Sequence, residues 1–277
     1  MTNKEVIIEA NRSEKHYWID IWHFRDLLII LAKRDILVRY KQTIIGAAWG
    51  FIRPLFTLIG FGFILTKYIG KGQATEIPYP VLAFSGILIW TYFSNVFIQV
   101  SNSLIANTNL ISKVYFPRII MPLSSVFVVL VDFLMAFVLF LILIFWFNTF
   151  PSIQILFLPI SLLHAFLLAF SIGLIFATLN IKYRDFGQLG PFLVQFGMFI
   201  CPVAVTHEAL GLSPKWDFFY NLNPIVGLID SFRWAVLPKN LPFPWQSFIP
   251  SIIGTIIFLI IAITFFRKKE DKFVDYI

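Results

Sequence analysis

Charged residues are scarce in this sequence. Asp, Glu, Lys and Arg make up 13% of its 277 residues, whereas soluble domains carry about 25%. Hydrophobic residues make up 58%, and the mean hydropathy is +0.82. A chain with so little polar surface cannot cover itself in water. The composition therefore excludes an ordinary soluble domain and indicates an integral membrane protein.

Enzyme motifs are also missing from the sequence. It contains no GxxxxGK[ST] loop for a nucleotide, no HExxH and no GxSxG. The single cysteine, Cys201, excludes an intrachain disulfide, and no Cys/His cluster offers a metal site. We therefore expect no catalytic residue, no metal and no cofactor bound by this chain. The formal net charge of +7 lies mainly beside the apolar segments, so we expect membrane lipid and no nucleic acid as a partner.

Six apolar stretches are long enough to cross a bilayer, which takes about 20 helical residues. They are residues 43–66, 80–100, 119–147, 153–179, 189–205 and 248–266. The predicted fold class is therefore an all-α integral membrane protein. An N-terminal segment, residues 1–42, precedes a six-helix transmembrane domain, residues 43–277. Residues 1–20 have no apolar run of the signal-peptide type, so we expect the first span to direct insertion.

The distribution of Lys and Arg predicts the orientation. With the N-terminus inside, sixteen of these residues flank the spans on the cytoplasmic side and five lie on the other side. Positive charge is retained in the cytoplasm. We therefore expect the N-terminus and, after six spans, the C-terminus to be cytoplasmic.

The segment before the first span is predicted to be an interfacial helix. Residues 19–42 contain a six-residue apolar run between charged residues, which is too short to cross a bilayer. Asp35 and Arg39 are one turn apart, in the order that supports a helix. We expect this helix to lie at the cytoplasmic interface, with its charges facing headgroups or a partner.

Two of the links between spans have unusual composition. Residues 101–118 form a cytoplasmic loop with more apolar residues than a connection needs, which favours docking on another protein. Residues 206–246 are predicted to form an external re-entrant helical hairpin. In it, Asn223 and Pro224 have the pattern of a helix start, and the helix that follows is too short to span.

Three ionisable residues, Arg53, Asp132 and His164, lie inside predicted spans. A charge at the centre of a membrane helix costs about 2.5–3.5 kcal/mol. Asp132 can offset this cost by pairing with Arg53 or with His164, which would fix helix packing. Alternatively, Arg53 faces a cavity and attracts an anionic group of a substrate. A third interpretation is that Asp132 is protonated.

Aromatic residues cluster near Arg53, in the second span and in the external hairpin. One interpretation is the aromatic belt found at membrane interfaces. The other is a set of flat surfaces on which sugar rings stack weakly while a polymer slides past. On the second interpretation, the channel or substrate residues are Trp49, Phe51, Arg53, Trp90, Tyr92, Phe93, Arg233 and Trp234.

Four motifs occur in a recognisable order. They are RDILVRYKQTIIGAAWGFIRP at residues 34–54, YFPR at 115–118, NIKYRDF at 180–186 and NLNPIVGLIDSFRWAVL at 221–237. Together they resemble the ABC-2 type permeases that export polysaccharide, and in particular the O-antigen and teichoic-acid exporters.

The resemblance implies a multi-pass homodimer in the bacterial cytoplasmic membrane. Each copy would dock one separately encoded ATPase subunit, which binds ATP and Mg²⁺. The implied cargo is a glycan on a polyprenyl diphosphate carrier, and we infer that Arg53 is a candidate to meet the diphosphate. The implied ATPase contacts are Asn107, Thr108, Asn109, Leu110, Lys113, Tyr115 and Phe116 in one loop, and Lys182, Tyr183, Arg184 and Asp185 in another.

Two other functions are compatible with the sequence. One is an efflux permease of the same superfamily with a different cargo, or a non-catalytic scaffold. The other is a membrane-embedded transferase acting on lipid-linked sugar, which would require several carboxylates or a His/Asp pair at one interface.

Overall fold

Helices form almost all of the structure that is described. The computed structural model describes residues 14–41, 51–52, 54–56, 59–60, 77–207, 210–238 and 242–273, and none of these residues forms a strand. The helices are α1 (Glu14–His23), α2 (Arg25–Lys41), α3 (Tyr79–Ala106), α4 (Thr108–Ile111), α5 (Ile120–Trp146), α6 (Leu158–Lys182), α7 (Phe186–Ile200), α8 (Pro214–Asn221), α9 (Pro224–Val236) and α10 (Trp245–Glu270).

Four helical segments of the described chain are long and apolar enough to cross a membrane. They are Tyr79–Ala106, Ile120–Trp146, Ile153–Lys182 and Trp245–Glu270. The third includes a turn of 3-10 helix, Ile153–Phe157, that leads into α6. Helices therefore occupy the second, third, fourth and sixth of the predicted spans.

The other two predicted spans have different outcomes. The fifth contains α7, which has 15 residues and ends at Ile200. Cys201 is extended, as is favoured for a residue before proline, here Pro202. The first predicted span, residues 43–66, lies largely outside the described residues, and so do Trp49 and Arg53.

Helix α3 is the centre of the bundle. It is buried along most of its length and packs against α5 and α6, while α10 packs on the far side of α6. Aromatic rings fill the core, where Phe84 and Phe140 have centroids 6.1 Å apart, and Phe133 and Phe232 have centroids 6.5 Å apart. Helices α5 and α10 are apolar on their exposed faces as well, as is typical of helices that contact lipid.

The chain passes back and forth between two ends of the bundle. We call one end, which carries Lys113, Arg118, Lys182 and Arg267, the basic end. We call the other, which carries α8 and α9, the hairpin end. Asn180 ties α6 to α3 at the basic end, since its amide donates to the carbonyl of Ser101 at 3.2 Å.

The hairpin end contains the two helices that the sequence predicted there. Asn223 is the N-cap of α9, and its side chain accepts the amide of Ile225 at 3.1 Å. Helix α9 is nearly all buried and packs against α10, α3 and α6. It is therefore an integral part of the bundle.

The N-terminal helices are less peripheral than predicted. Helix α2 packs along α5 and buries Leu31 and Ala32. Arg39 bonds to Asp132 of α5 instead of supporting its own helix through Asp35. Asp35 pairs with Arg34 at 2.7 Å. The prediction that the charges of this segment face only headgroups or a partner is therefore wrong for Arg39.

Candidate functional site

The loop between α3 and α5 exposes polar and aromatic groups at the basic end. It contains the single-turn helix α4, and Asn107 is the N-cap of that helix. Arg34 of α2 donates to the side-chain oxygen of Asn107 at 2.9 Å, which joins the loop to the N-terminal helices. Beyond α4, Lys113 and Tyr115 are exposed, with Tyr115 at 59%. These side chains are available to a partner.

Two apolar residues hold this loop against the bundle. Ile111 and Phe116 are 5% and 4% exposed. Phe116 was predicted to touch an ATPase, but it is buried because the chain must return to the start of α5. Phe116 therefore anchors the loop, and its contact with an ATPase stays a prediction. Of the other predicted residues in this loop, Asn109 is exposed, and Thr108 and Leu110 are half-buried.

The second predicted loop lies at the same end. Lys182, Tyr183, Arg184 and Asp185 are all exposed between α6 and α7. The ammonium of Lys182 lies 4.9 Å from the centroid of the Tyr183 ring. The structure thus brings the two predicted loops to one face of the molecule, although they are far apart in the sequence.

Asp132 is paired, but with partners that the sequence did not suggest. Its Oδ2 lies 2.7 Å from Nη2 of Arg39, and the hydroxyl of Tyr40 donates to its Oδ1. Both partners come from α2. The Arg53 alternative falls outside the described residues.

His164 has a separate set of contacts within the bundle. Its Nε2 lies 3.1 Å from the hydroxyl oxygens of both Ser251 and Thr255, on α10. The predicted contact between His164 and Asp132 is therefore wrong, because each side chain bonds to a different helix. His164 joins α6 to α10.

The aromatic residues predicted to line a channel are mostly in the core. Trp90, Tyr92 and Phe93 of α3 are each 4–5% exposed. An apolar central helix turns its large rings towards its neighbours, and Tyr92 packs edge-on against Phe133 at 5.1 Å. In this structure the three rings pack inside the bundle, and their place in a channel wall stays a prediction. Phe51 is half-buried.

Arg233, another predicted channel residue, is likewise buried, at 5% exposed. Its guanidinium donates to the carbonyls of Val203 and Val205, at 2.7 and 2.9 Å. Those carbonyls belong to the irregular segment after α7, which thereby gains partners for its backbone. Burial lowers the pKa of Arg233 to about 10, which leaves it charged at neutral pH. A Cβ on Gly86 would lie 2.5 Å from Arg233 Nη2, so only glycine fits beside it.

Trp234, the neighbour of Arg233, belongs to an aromatic cluster at the hairpin end. Its ring is 5.7 Å from Phe157 and 4.8 Å from Phe243, both edge-on. The ring is half-buried, and its contacts join α9 to the segments before α6 and α10. This resembles an interfacial packing cluster more than an open stacking surface.

A histidine between two carboxylates also lies at the hairpin end. His207 Nε2 is 2.8 Å from Asp217 Oδ1, and its Nδ1 is 3.7 Å from Asp230 Oδ2. Interaction with Asp230 raises the pKa of His207, and the charge of Asp217 adds to this, while burial opposes it. Ser247 of α10 donates to Asp230 at 3.1 Å, and the amide of Asn221 contacts Asp217 at 3.2 Å.

This His/Asp cluster is the arrangement that the transferase alternative requires. Its groups, however, bond to one another and to neighbouring helices, so they hold α8, α9 and α10 to the segment after α7. The described residues contain no group of three or more His, Cys, Asp or Glu arranged to hold a metal ion. The cluster can therefore stabilise the hairpin end without acting as a reactive centre.

Helix α7 has a face that no described part of the chain covers, and sequence reasoning missed it. Gly190 and Gly197 are two turns apart and face α3, where a Cβ on Gly197 would lie 2.7 Å from the Trp90 ring. The opposite face carries four exposed side chains, Gln188, Phe192, Gln195 and Phe199. Neither amide has a hydrogen-bond partner in the part of the chain that is described. The signal that could have revealed this face is the seven-residue spacing of the two glutamines.

Comparison with known sequences adds a family and several relatives. The sequence model of the family "ABC-2 type transporter" matches residues 26–237, which is most of the chain. An O-antigen export system permease protein, RfbA, of Klebsiella pneumoniae is 27% identical over 251 residues. That alignment covers 90% of this chain and 94% of the relative.

Two further relatives have the same description. A second RfbA permease of Klebsiella pneumoniae is 28% identical over 251 residues, with the same coverage. The RfbA permease of Myxococcus xanthus is 23% identical over 259 residues, which cover 93% of this chain and 98% of that protein. The similarity therefore extends over nearly the whole length of each protein.

Proposed function

The chain belongs to the ABC-2 type transporter family, and we propose that it is the transmembrane subunit of an ATP-driven exporter of lipid-linked polysaccharide of the O-antigen type. Membership makes it the membrane subunit of a transporter and a multi-pass protein of the bacterial inner membrane. The observation that carries the proposal is the near full-length similarity to three permeases named for O-antigen export.

The energy source is proposed to be a separate ABC ATPase subunit. The sequence has no P-loop of its own, so ATP and Mg²⁺ would bind to that partner and no cofactor to this chain. Two exposed loops at one end of the bundle support a docking surface. Lys113 and Tyr115 project from the first, and Tyr183 and Arg184 from the second. The positive charge of this end supports a cytoplasmic location, where an ATPase would meet it.

We further propose that two copies of the chain form the transport path. The face of α7 that no described residue covers supports this, because Gln195 would otherwise face lipid with an unsatisfied amide. Amide groups suit sugar hydroxyls, and the rings of Phe192 and Phe199 offer flat apolar contacts that let a polymer slide. A face of this kind is suited to a water-filled path or to a second copy.

A gene deletion tests the proposed cargo. We expect the deleted strain to lose its long surface glycan and to accumulate lipid-linked polymer on the cytoplasmic side. The measurement is gel analysis of the surface glycan, combined with extraction of the lipid-linked fraction. Wild-type chain supplied from a plasmid should restore export. A normal surface glycan in the deleted strain would refute the proposal.

The docking surface is tested with matched substitutions. We expect Tyr115→Ala and Tyr183→Ala together to reduce co-purification of the ATPase subunit, with unchanged amounts of permease in the membrane. The control is Trp216→Ala, which removes an exposed aromatic ring at the hairpin end. If the double variant and the Trp216→Ala control retain the ATPase equally, the basic end is not the docking surface.

The identity of the polymer separates the proposal from its alternatives. Accumulated lipid-linked O-antigen supports this cargo, and accumulated teichoic acid would assign the neighbouring subgroup of exporters. Loss of a drug-resistance phenotype with normal glycan would favour an efflux permease. A shortened or unmodified glycan that still reaches the surface would favour a transferase.

A further inference from the structure

A buried carboxylate at the basic end joins three segments that are far apart in the sequence. Glu270, the last residue of α10, is 8% exposed. Its Oε1 accepts the backbone N–H of Arg118 at 2.9 Å and the hydroxyl of Tyr17 at 3.3 Å. Tyr17 lies on α1, and Arg118 lies two residues before the first residue of α5. One side chain therefore connects α1, the start of α5 and the end of α10.

Cationic and aromatic groups enclose this carboxylate. The Arg267 guanidinium carbon lies 3.7 Å from the centroid of the Tyr17 ring, and that of Arg118 lies 5.8 Å from the Phe273 ring. Phe273 is 1% exposed and packs edge-on against Phe266 at 5.4 Å. The contact is thus held by apolar packing as well as by hydrogen bonds.

Tyr17 is a permanent donor in this cluster. Burial raises the pKa of its hydroxyl, and the charge of Glu270 raises it further. The hydroxyl therefore keeps its proton across the physiological range.

The position of Arg118 gives the cluster its significance. Arg118 closes the exposed loop that contains α4, and it directly precedes Ile119, the N-cap of α5. Ile119 has no capping side chain, yet the N-terminus of a helix favours a nearby negative charge. Glu270 supplies that charge from another helix. A displacement of the loop end would therefore move α5, α10 and α1 together.

We propose that Glu270 is a positioning residue for energy coupling, which fixes the end of the ATPase-facing loop and α1 to the end of the last helix. This inference rests on the proposed function. Movement of the loop by an ATPase would then drive α5 and α10 as one body instead of bending the loop alone. Without the link, the ATPase would still hydrolyse ATP, but less of that energy would move the helices.

The test compares export with ATP hydrolysis in the same preparation. The permease and its ATPase are purified as a complex, reconstituted in proteoliposomes, and assayed for lipid-linked polysaccharide moved per ATP hydrolysed. We expect Glu270→Ala to lower this ratio about fivefold or more, the range that coupling between sites produces. Glu270→Gln keeps a side-chain carbonyl that accepts the Arg118 amide, so it should retain most of the ratio. Asp271→Asn, one residue further on and exposed, is the matched control and should behave as wild type.

A second variant removes only one of the two bonds. We expect Tyr17→Phe to lower the ratio by about twofold, with normal membrane insertion, since it loses one hydrogen bond of the pair. If Glu270→Ala does not insert, the outcome is read from Tyr17→Phe. An unchanged ratio in the variants that insert would overturn the inference. Failure of the wild-type complex to move polysaccharide would instead count against the proposed function.

Discussion

Single ionisable residues in apolar segments have partners that only the fold reveals. Asp132 stands out in the sequence because a carboxylate in a membrane helix is costly. Its partner, however, comes from α2, since that helix packs along α5 and brings Arg39 within 2.7 Å. Arg233 shows the same principle, because its acceptors are backbone carbonyls about thirty residues away in the chain. The need for a partner was predictable, but its identity was not.

The Arg39–Asp132 pair predicts a strong interaction between two substitutions. We expect Arg39→Ala to destabilise the protein by about 3 kcal/mol, because it leaves a largely buried carboxylate without its cation. Asp132→Ala should destabilise it as well, and the double variant by no more than the worse single variant. The measurement is thermal unfolding in detergent, followed by tryptophan fluorescence. Strictly additive losses would show that the pair contributes nothing.

His207 predicts a pH-dependent stability at the hairpin end. Its pKa is raised above the ordinary value of 6.5, so the folded chain stabilises the protonated imidazole more than the unfolded chain does. This stabilisation is complete below the ordinary pKa and is lost as pH rises through the raised one. We expect the difference in melting temperature between wild type and His207→Gln to shrink from about pH 6 to about pH 9.

The control for the histidine experiment is His23→Gln, because His23 is exposed on α1. Its effect on melting temperature should be small. If the melting temperatures of His207→Gln and His23→Gln depend equally on pH, the effect comes from loss of any histidine charge and not from the contacts of His207 with Asp217 and Asp230.

At the scale of elements, helix positions follow from composition and local stop signals. Bilayer thickness requires long apolar helices, so hydropathy located α3, α5, α6 and α10. At the basic end, α3, α6 and α10 extend three to six residues past the predicted spans, because polar turns extend a helix beyond the membrane, whereas the ends of α5 match within one residue. Helix α7 ends earlier than predicted, because Cys201 precedes a proline. Hydropathy alone does not predict that a helix ends before a proline.

The packing of α9 against α10 predicts that one glycine cannot be replaced. A Cβ on Gly227 would lie 2.1 Å from the carbonyl oxygen of Ser247. We expect Gly227→Ala to destabilise the protein by about 1–3 kcal/mol through overpacking. Gly190→Ala is the matched control, since its nearest neighbour would be Phe97 at 3.5 Å, an ordinary contact. The measurement is the melting temperature in detergent, and equal values for the two variants would contradict the prediction.

At the scale of the whole molecule, the alternating helices place the two predicted ATPase-facing loops together. The loops were identified from short motifs, but their shared face follows from the antiparallel path of α3, α5, α6 and α7. The same path brings Tyr17, Arg118 and Glu270 together at the basic end. These residues are more than a hundred positions apart in the chain, and only the packing of the helices brings them into contact.

Labelling of single cysteines tests the orientation. Cys201 is buried, so the native chain gives a low background with a maleimide that does not cross the membrane. We expect Lys215→Cys at the hairpin end to react in intact cells, and Lys113→Cys at the basic end to react only after the inner membrane is opened. Both positions are exposed in the structure. The opposite pattern would reverse the predicted topology.

The sequence by itself determined the class of this protein, because hydropathy and the distribution of Lys and Arg follow directly from the cost of placing polar groups in lipid. It also determined the family resemblance and predicted which loops meet a partner, since both follow from short contiguous motifs. Only the tertiary structure decided which polar groups pair, which aromatic rings are buried and which face of α7 stays uncovered. These depend on contacts between helices, and the physical reason is that a buried charge or ring is satisfied by whichever segment packs against it, however distant in the chain.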